Sequence, residues 1–285
     1  MLCISIFILL PFSSVKVLAD DYSLLPHIIE TSSFLSKNDF KTIANYHPYY
    51  LIDNNPSTAW VEGAPDSGIG KGVQMWITIP QNTKIKIAIR NGFQKGEDLF
   101  YKNNRVKELK ITFMLGDYHN PEYDTKNYVL EDKMGWQTIE VTKDKECLYI
   151  FFGIQSVYKG TKYDDTCISD INISIEDDKG INKEFQKDLQ QKYTLWFRER
   201  TAKSMFFKNL PKDYPFKPYE KKVYEELITW EKFESAKDDL YTSLFAEVFD
   251  NAELKDFVSS DNTQSCLRII KEVSKEEQSG NLIEY

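Results

Sequence analysis

Histidine and cysteine are scarce in this chain, and that scarcity removes several chemistries at once. Its 285 residues carry three histidines, His27, His47 and His119. None of them shares the i, i+4 spacing of a helical zinc signature. The four cysteines include no CxxC pair, so zinc-ribbon ligation is excluded as well. Basic residues are outnumbered, 36 against 44 acidic, for a net charge of −8. A nucleic-acid binder carries a basic field, and that class is disfavoured. No G-x-S-x-G nucleophile elbow is present. The acid pairs Asp164-Asp165 and Asp238-Asp239 are sequence neighbours, whereas glycoside hydrolysis needs two carboxyls facing each other across a sugar.

Long apolar runs are also lacking. The segment Leu2 to Leu10, LCISIFILL, is too short to span a bilayer. It is followed by Pro11 and by the small-residue site Val17-Leu18-Ala19, which predicts a cleaved signal peptide over residues 1–19 and an exported protein. The alternative is a membrane anchor retained at the N-terminus. Cleavage would leave Cys147, Cys167 and Cys266. Either Cys147 pairs with Cys167, or both are buried free thiols.

Aromatics are plentiful: 17 Tyr, 18 Phe and 5 Trp, a supply that suits sandwich cores and ring-lined binding surfaces. From about residue 70 to 176 the apolar residues recur with the period of a strand. Val73 to Ile79 alternates until Pro80. Ile85, Ile87 and Ile89 share one face, as do Leu109, Ile111 and Phe113, and again Ile171, Ile173 and Ile175. Trp136–Val141 and Cys147–Ile154 supply further strands. Short strands without intervening helical periods predict an antiparallel β-sandwich. After Gly180 the period becomes helical: Phe185, Leu189, Tyr193, Trp196 and Phe197 make one stripe. Tyr219, Val223, Leu227 and Trp230 make a second, Phe233 to Val248 a third, and Cys266–Val273 a short last helix. The expected organisation is a signal peptide at 1–19, a lead-in at 20–39, a sandwich at 40–177 and a helical region at 181–285.

The stretch LIDNNPSTAWVEGAPDSGIGKGVQMWITIP, residues 51–80, is the densest in turn chemistry. Asp53 to Ser57 forms a turn with Asp and Asn capping local amides. Trp60 is expected in the core, the alternative being a sugar platform, with Glu62 pointing the other way, toward the loop surface. GIGKG is not a phosphate cradle, because it opens a strand rather than a helix. The loop QKGEDLFYKNNR, residues 94–105, joins two strands and supplies Tyr101, Asn104 and Arg105. Sugar recognition uses such amides, carboxylates and guanidinium groups against vicinal hydroxyls, with a ring on the apolar sugar face. A solvated loop without a ligand is equally compatible with that composition.

The run IDNNPSTAWVEG, then GIG, NGF at 91–93, Tyr101, Asn104-Arg105, Leu109, Ile111 and KYDDTCISDI at 162–171 resembles a known family over about residues 40–176. That family is the discoidin-like domain of bacterial NAD-glycohydrolase toxins, the NADase-type glycan-binding or translocation branch of the coagulation-factor type-C superfamily. The resemblance implies an eight-stranded jelly roll of the galactose-binding-like fold that binds carbohydrate and performs no chemistry of its own. The loops then supply the candidate ligand-binding positions Glu62, Asn91, Tyr101, Asn104, Arg105, Tyr163 and Asp164, with turning the chain as the alternative role of Asn91. From the Asp turn and an acid on the last strand the resemblance also raises a structural calcium ion at Asp53 and Asp170, the alternative being that Asp53 caps its own turn and Asp170 is a surface residue. No other cofactor is expected. Nothing of the glycohydrolase domain is recognisable in 181–285. The expected partner is a glycan or other cell-surface ligand, with a protein partner for the helical region as an addition. Two alternatives remain: a structural sandwich supporting a helical effector module, or an enzyme with an unrecognised site in the helices.

Overall fold

A computed structural model describes residues 21–35, 46–64, 66–209 and 254–278. The proposed signal peptide and the helical stripes between 219 and 248 lie outside the described residues. The described chain divides into two units. One holds the sandwich and runs to Gln186, and the other holds the helices from Lys187 on.

Ten strands build the first unit: β1 (Tyr22–Leu24), β2 (Ile28–Thr31), β3 (Trp60–Val61), β4 (Gly72–Ile79), β5 (Thr83–Asn91), β6 (Asn104–Asp117), β7 (Asn120–Val129), β8 (Trp136–Lys143), β9 (Cys147–Tyr158) and β10 (Thr166–Ile175). A 3-10 helix, Pro48–Ile52, precedes β3, and a short helix α1, Glu97–Lys102, precedes β6. One layer runs β2-β4-β9-β6-β7, every pair antiparallel. The other is β10-β5-β8, with β1 and β3 paired along the far edge of β10. The layers meet where the start of β10 runs parallel to the start of β6, Thr166 opposite Asn104.

The core lies between these layers and is made of the alternating residues. Val73, Met75, Ile77 and Ile79 of β4 are buried, as are the expected isoleucine rows of β5 and β10 and Leu109, Ile111 and Phe113 of β6. Each such side chain contributes about 1.5–3 kcal/mol of burial free energy. Trp60 is fully buried, as expected, and its Nε1 donates to the Ser33 carbonyl at 3.1 Å.

Two expectations need correction, and one strand is additional. Strands β1 and β2 fall in the lead-in ahead of residue 40, yet both join the sheets; their few residues are too short to show a period. β7 is the additional strand: no apolar alternation marks it, and its residues are mostly exposed. It is held by ten register pairs to β6 rather than by a buried face. The proposed Cys147–Cys167 pairing is not formed, and both are buried free thiols. Cys147 lies opposite Leu115 and Cys167 opposite Arg105. Ten residues of β6, roughly 33 Å of strand, therefore separate them, far beyond the reach of a disulfide. Burial pushes the Cys147 thiol up to about 12.

In the helical unit, α2 (Lys183–Asn209) buries Leu189 and Tyr193 of the expected stripe together with Leu195, Ala202 and Phe206. α3 (Lys255–Ser259) meets it through Phe257, 5.4 Å from Phe206. α4 (Asp261–Gln278), longer than the expected last helix, is joined to it by Arg198 and Glu272 at 2.9 Å. Among the described residues no helix is long and apolar enough to cross a membrane.

Candidate functional site

The starts of β6, β8 and β10 and the ends of β5, β7 and β9 lie together, so the loops between them form a crown. Its polar residues fall into two groups.

The first group is spent on the fold itself. Asn104 is fully buried, and its Nδ2 donates to the Asp164 carbonyl (2.6 Å) and carboxylate (2.9 Å) while its Oδ1 accepts the Gly160 amide at 2.7 Å. Arg105, 4% exposed, forms a bidentate pair with Asp132 at 2.9 and 2.7 Å, and its remaining nitrogen donates to the Asn103 and Lys159 carbonyls. Asn91 is likewise buried, donating to the Val106 carbonyl and accepting the Val106 amide. Next to it, Gly92 has φ +78°, and a Cβ there would lie 2.6 Å from the Arg105 side chain. The NGF turn is thus fixed both by its backbone and by what packs on it.

Glu62 corrects an expectation. It does not face the loop surface but is 0% exposed, with Oε1 accepting from Ser33 Oγ and the Ala64 amide, both at 2.5 Å. Gly68, at φ +71°, packs against its other oxygen, where a Cβ would come within 2.6 Å. Glu62 is therefore the latch of the 62–70 loop. Asn91, Asn104 and Arg105 are also buried and bonded within the fold, so they stand behind the crown's surface rather than on it. Composition shows such residues to be present but not where their donors end up.

The second group faces outward. Tyr101 on α1 is 44% exposed and Tyr163 is 40% exposed. The two loops that carry them are zipped together: Thr161 N–H donates to the Tyr101 carbonyl (3.0 Å), and Tyr163 N–H to the Lys102 carbonyl (2.8 Å). Beneath, the Arg105 guanidinium sits 5.5 Å from the Tyr101 ring centroid, and Lys162 lies 5.1 Å from that of Tyr163. Lys102 is paired with Asp98 at 2.6 Å. Asp164 is exposed and ion-paired with Lys159, and this pairing with the Asn104 bond holds its carboxyl below the usual range.

Asp53 and Asp170 are near enough for the charge of Asp170 to act on Asp53. Asp53 accepts from the Asn55 amide (2.9 Å) and Thr58 Oγ1 (2.7 Å) in its own turn. Asp170 is buried and receives Arg90 at 3.0 Å on one oxygen. Its other oxygen has no well-formed hydrogen bond, although the Asn54 and Asn55 amides are near enough to favour its charge. Burial, with each other's charge added for Asp53, raises Asp53 to about 8, and burial raises Asp170 to about 6 despite Arg90. Arg90 also stacks 4.3 Å from the Trp136 ring centroid. Among the described residues no three His, Cys, Asp or Glu side chains gather as a metal site.

A rigid two-layer sandwich that holds out a loop crown defines a β-sandwich module of the F5/8 type C class. Residues 21–174 match the NAD glycohydrolase translocation F5/8 type C domain, and the chain belongs to that family. No curated protein sequence matches it. Among solved structures, the chain is similar over 54% of its length to the family 32 carbohydrate-binding module of Clostridium perfringens NanJ, solved with galactose. That match is 13% identical, covers 98% of the module and has a TM-score of 0.36. A chitosan-binding module from Paenibacillus sp. IK-5 is 12% identical over 53% of this chain and 96% of its own, with a TM-score of 0.37. Arabinofuranosyltransferase AftD from mycobacteria is 13% identical with a TM-score of 0.39, and the match covers 54% of this chain and only 11% of that one.

Proposed function

We propose that this is an exported, non-catalytic binding protein whose crown takes a glycan or other cell-surface ligand on the rings of Tyr101 and Tyr163. The observation that carries the reading is the pairing of two exposed rings on loops that are pinned, backbone to backbone, to a rigid scaffold. Such pinning lowers the ordering cost of binding. The rings offer a face to the apolar side of a sugar, and Lys102, Asp98, Lys162 and Asp164 supply groups for its hydroxyls. Affinity per site is expected in the µM–mM range, so avidity would matter. The test is a glycan array probed with the full chain. Binding that disappears in Tyr101→Ala/Tyr163→Ala, with the melting temperature preserved, supports the reading; a flat array overturns it.

A structural calcium ion is a separate proposal. Asp53 and Asp170 offer hard oxygen ligands that Arg90 only half compensates, and carbonyls of the 53–58 turn would have to complete the six to eight oxygens required. Calcium should raise the melting temperature of the wild type and not that of Asp53→Ala. An equal response of the two, or none, rejects the site.

A further inference from the structure

The two outer faces of the sandwich differ in kind. On the layer β10-β5-β8 the outward positions are mostly polar, among them Lys84, Lys86, Arg90, Thr138, Glu140 and Thr142. On the other layer one row of directly opposed residues crosses all five strands without a charge. It runs from Ile28 of β2 through Trp76 of β4, Tyr149 of β9 and Met114 of β6 to Tyr123 of β7. Alternation puts this row outside, since the adjacent Met75, Ile150 and Phe113 are in the core. Tyr118, on the hairpin between β6 and β7, adds a ring 6.3 Å from Trp76. Ile28, Tyr118 and Tyr123 are all exposed. A contiguous apolar band of this kind on an outer surface marks an interface.

The band is level and held in place. Trp76 Nε1 donates to the Glu30 carboxylate at 2.9 Å, and the Tyr149 ring lies 5.1 Å from the indole. In the next row Phe151 lies across two glycines: a Cβ on Gly72 or on Gly153 would come within 2.8 Å of its ring. Groups fixed in advance lose little freedom on association. Five strands about 4.8 Å apart and roughly seven residues of each give a face of about 600 Å² in projection. Side-chain relief brings this near the roughly 800 Å² that each partner of a standard interface buries.

We propose that two copies of this chain associate through this face, about a two-fold axis that runs along β9. What fits the row is the same row reversed. Tyr149 then meets Tyr149 of the second copy, each Trp76 lies over the other copy's Met114, and each Ile28 over its Tyr123. A large ring is thus set against a smaller or more flexible side chain on both sides of the axis. Sheets stack face to face in this aligned way about 10 Å apart. The same axis brings Glu30 of each copy within reach of Lys110 of the other. Lys110 lies 6.0 Å from the Phe151 ring centroid and has no ion pair of its own among the described residues. Because the axis follows the strands, both crowns point the same way and stay clear of the contact. That consequence draws on the crown reading; the association itself does not.

The experiment is sedimentation equilibrium of the full chain from about 1 to 100 µM, with no ligand present. A monomer–dimer equilibrium should appear, and Tyr123→Glu should weaken it by roughly tenfold or more. Tyr118→Glu serves as the second variant should Tyr123→Glu lower the melting temperature, with the same direction expected. Glu30→Lys and Lys110→Glu should each weaken association, and mixing these two variants should restore it, because the mixed pair regains both ion pairs. Three results overturn the proposal. The first is a chain that stays monomeric throughout, which turns the face over to a different protein. The others are full association in both tyrosine variants, and a mixture of the charge variants that associates no better than either alone.

Discussion

The two sides of the crown use the same residue types to opposite electrostatic effect. Around Arg105 every charge is matched: the guanidinium meets Asp132 in a bidentate pair and its remaining nitrogen caps two carbonyls. Around Asp170 two acids share one arginine, and the carboxyls are held at about 8 and about 6. One side is a clamp, and on the other burial favours the protonated form of carboxyls that one arginine only partly compensates. The difference shows that acids and amides in a loop say little until their partners are counted.

The largest effect should come from the clamp. Arg105→Ala removes four hydrogen bonds and is expected to cost about 3 kcal/mol, lowering the melting temperature by roughly 6–12 °C. A shift below a degree would mean that the crown does not depend on it. Asn104→Ala should follow at about 1–2 kcal/mol, because the Gly160 amide loses its acceptor; thermal melts of the pair measure both.

The acid side should respond in the other direction. Asp53 has an ordinary pKa of 3.8 and a folded value of about 8. Between these the folded state keeps a proton that the unfolded chain has released, so stability is full below pH 4, falls as the pH rises and is lost above pH 8. In calcium-free buffer Asp53→Asn should therefore melt a few degrees above the wild type at pH 9 and level with it at pH 4. Equal melting at both pH values would show the acid pair to be relaxed. Smaller still is the expected cost of Tyr101→Ala/Tyr163→Ala, within about 0.5 kcal/mol. Lys159→Ala breaks only an exposed pair and should leave the melt unmoved. These last two variants separate surface from clamp in the same crown.

Much of the sandwich was legible in the sequence, because Ile85, Ile87 and Ile89 and their counterparts alternate with the period the pleat imposes. Trp60 was readable as core for its size. β7 was not, since its stability comes from a ladder to β6 and not from an apolar face. The site was legible only in part. Tyr101 and Tyr163 are exposed on the crown, and the charge of Asp170 reaches Asp53. Glu62, Asn91, Asn104 and Arg105 were misread because their partners, Ser33, Val106, Gly160 and Asp132, lie between 15 and 56 residues away or come from another loop. No local pattern carries that information.

β7 leaves one side of its backbone open, and an open backbone invites another molecule to dock and polymerise into fibrils. Glu122, Asp124 and Lys126 punctuate that strand at every second position, so a flat apolar ribbon never forms. The charges that keep this strand from pairing outward are thus carried on the edge itself, and replacing them with valine or isoleucine should turn a soluble edge into a sticky one.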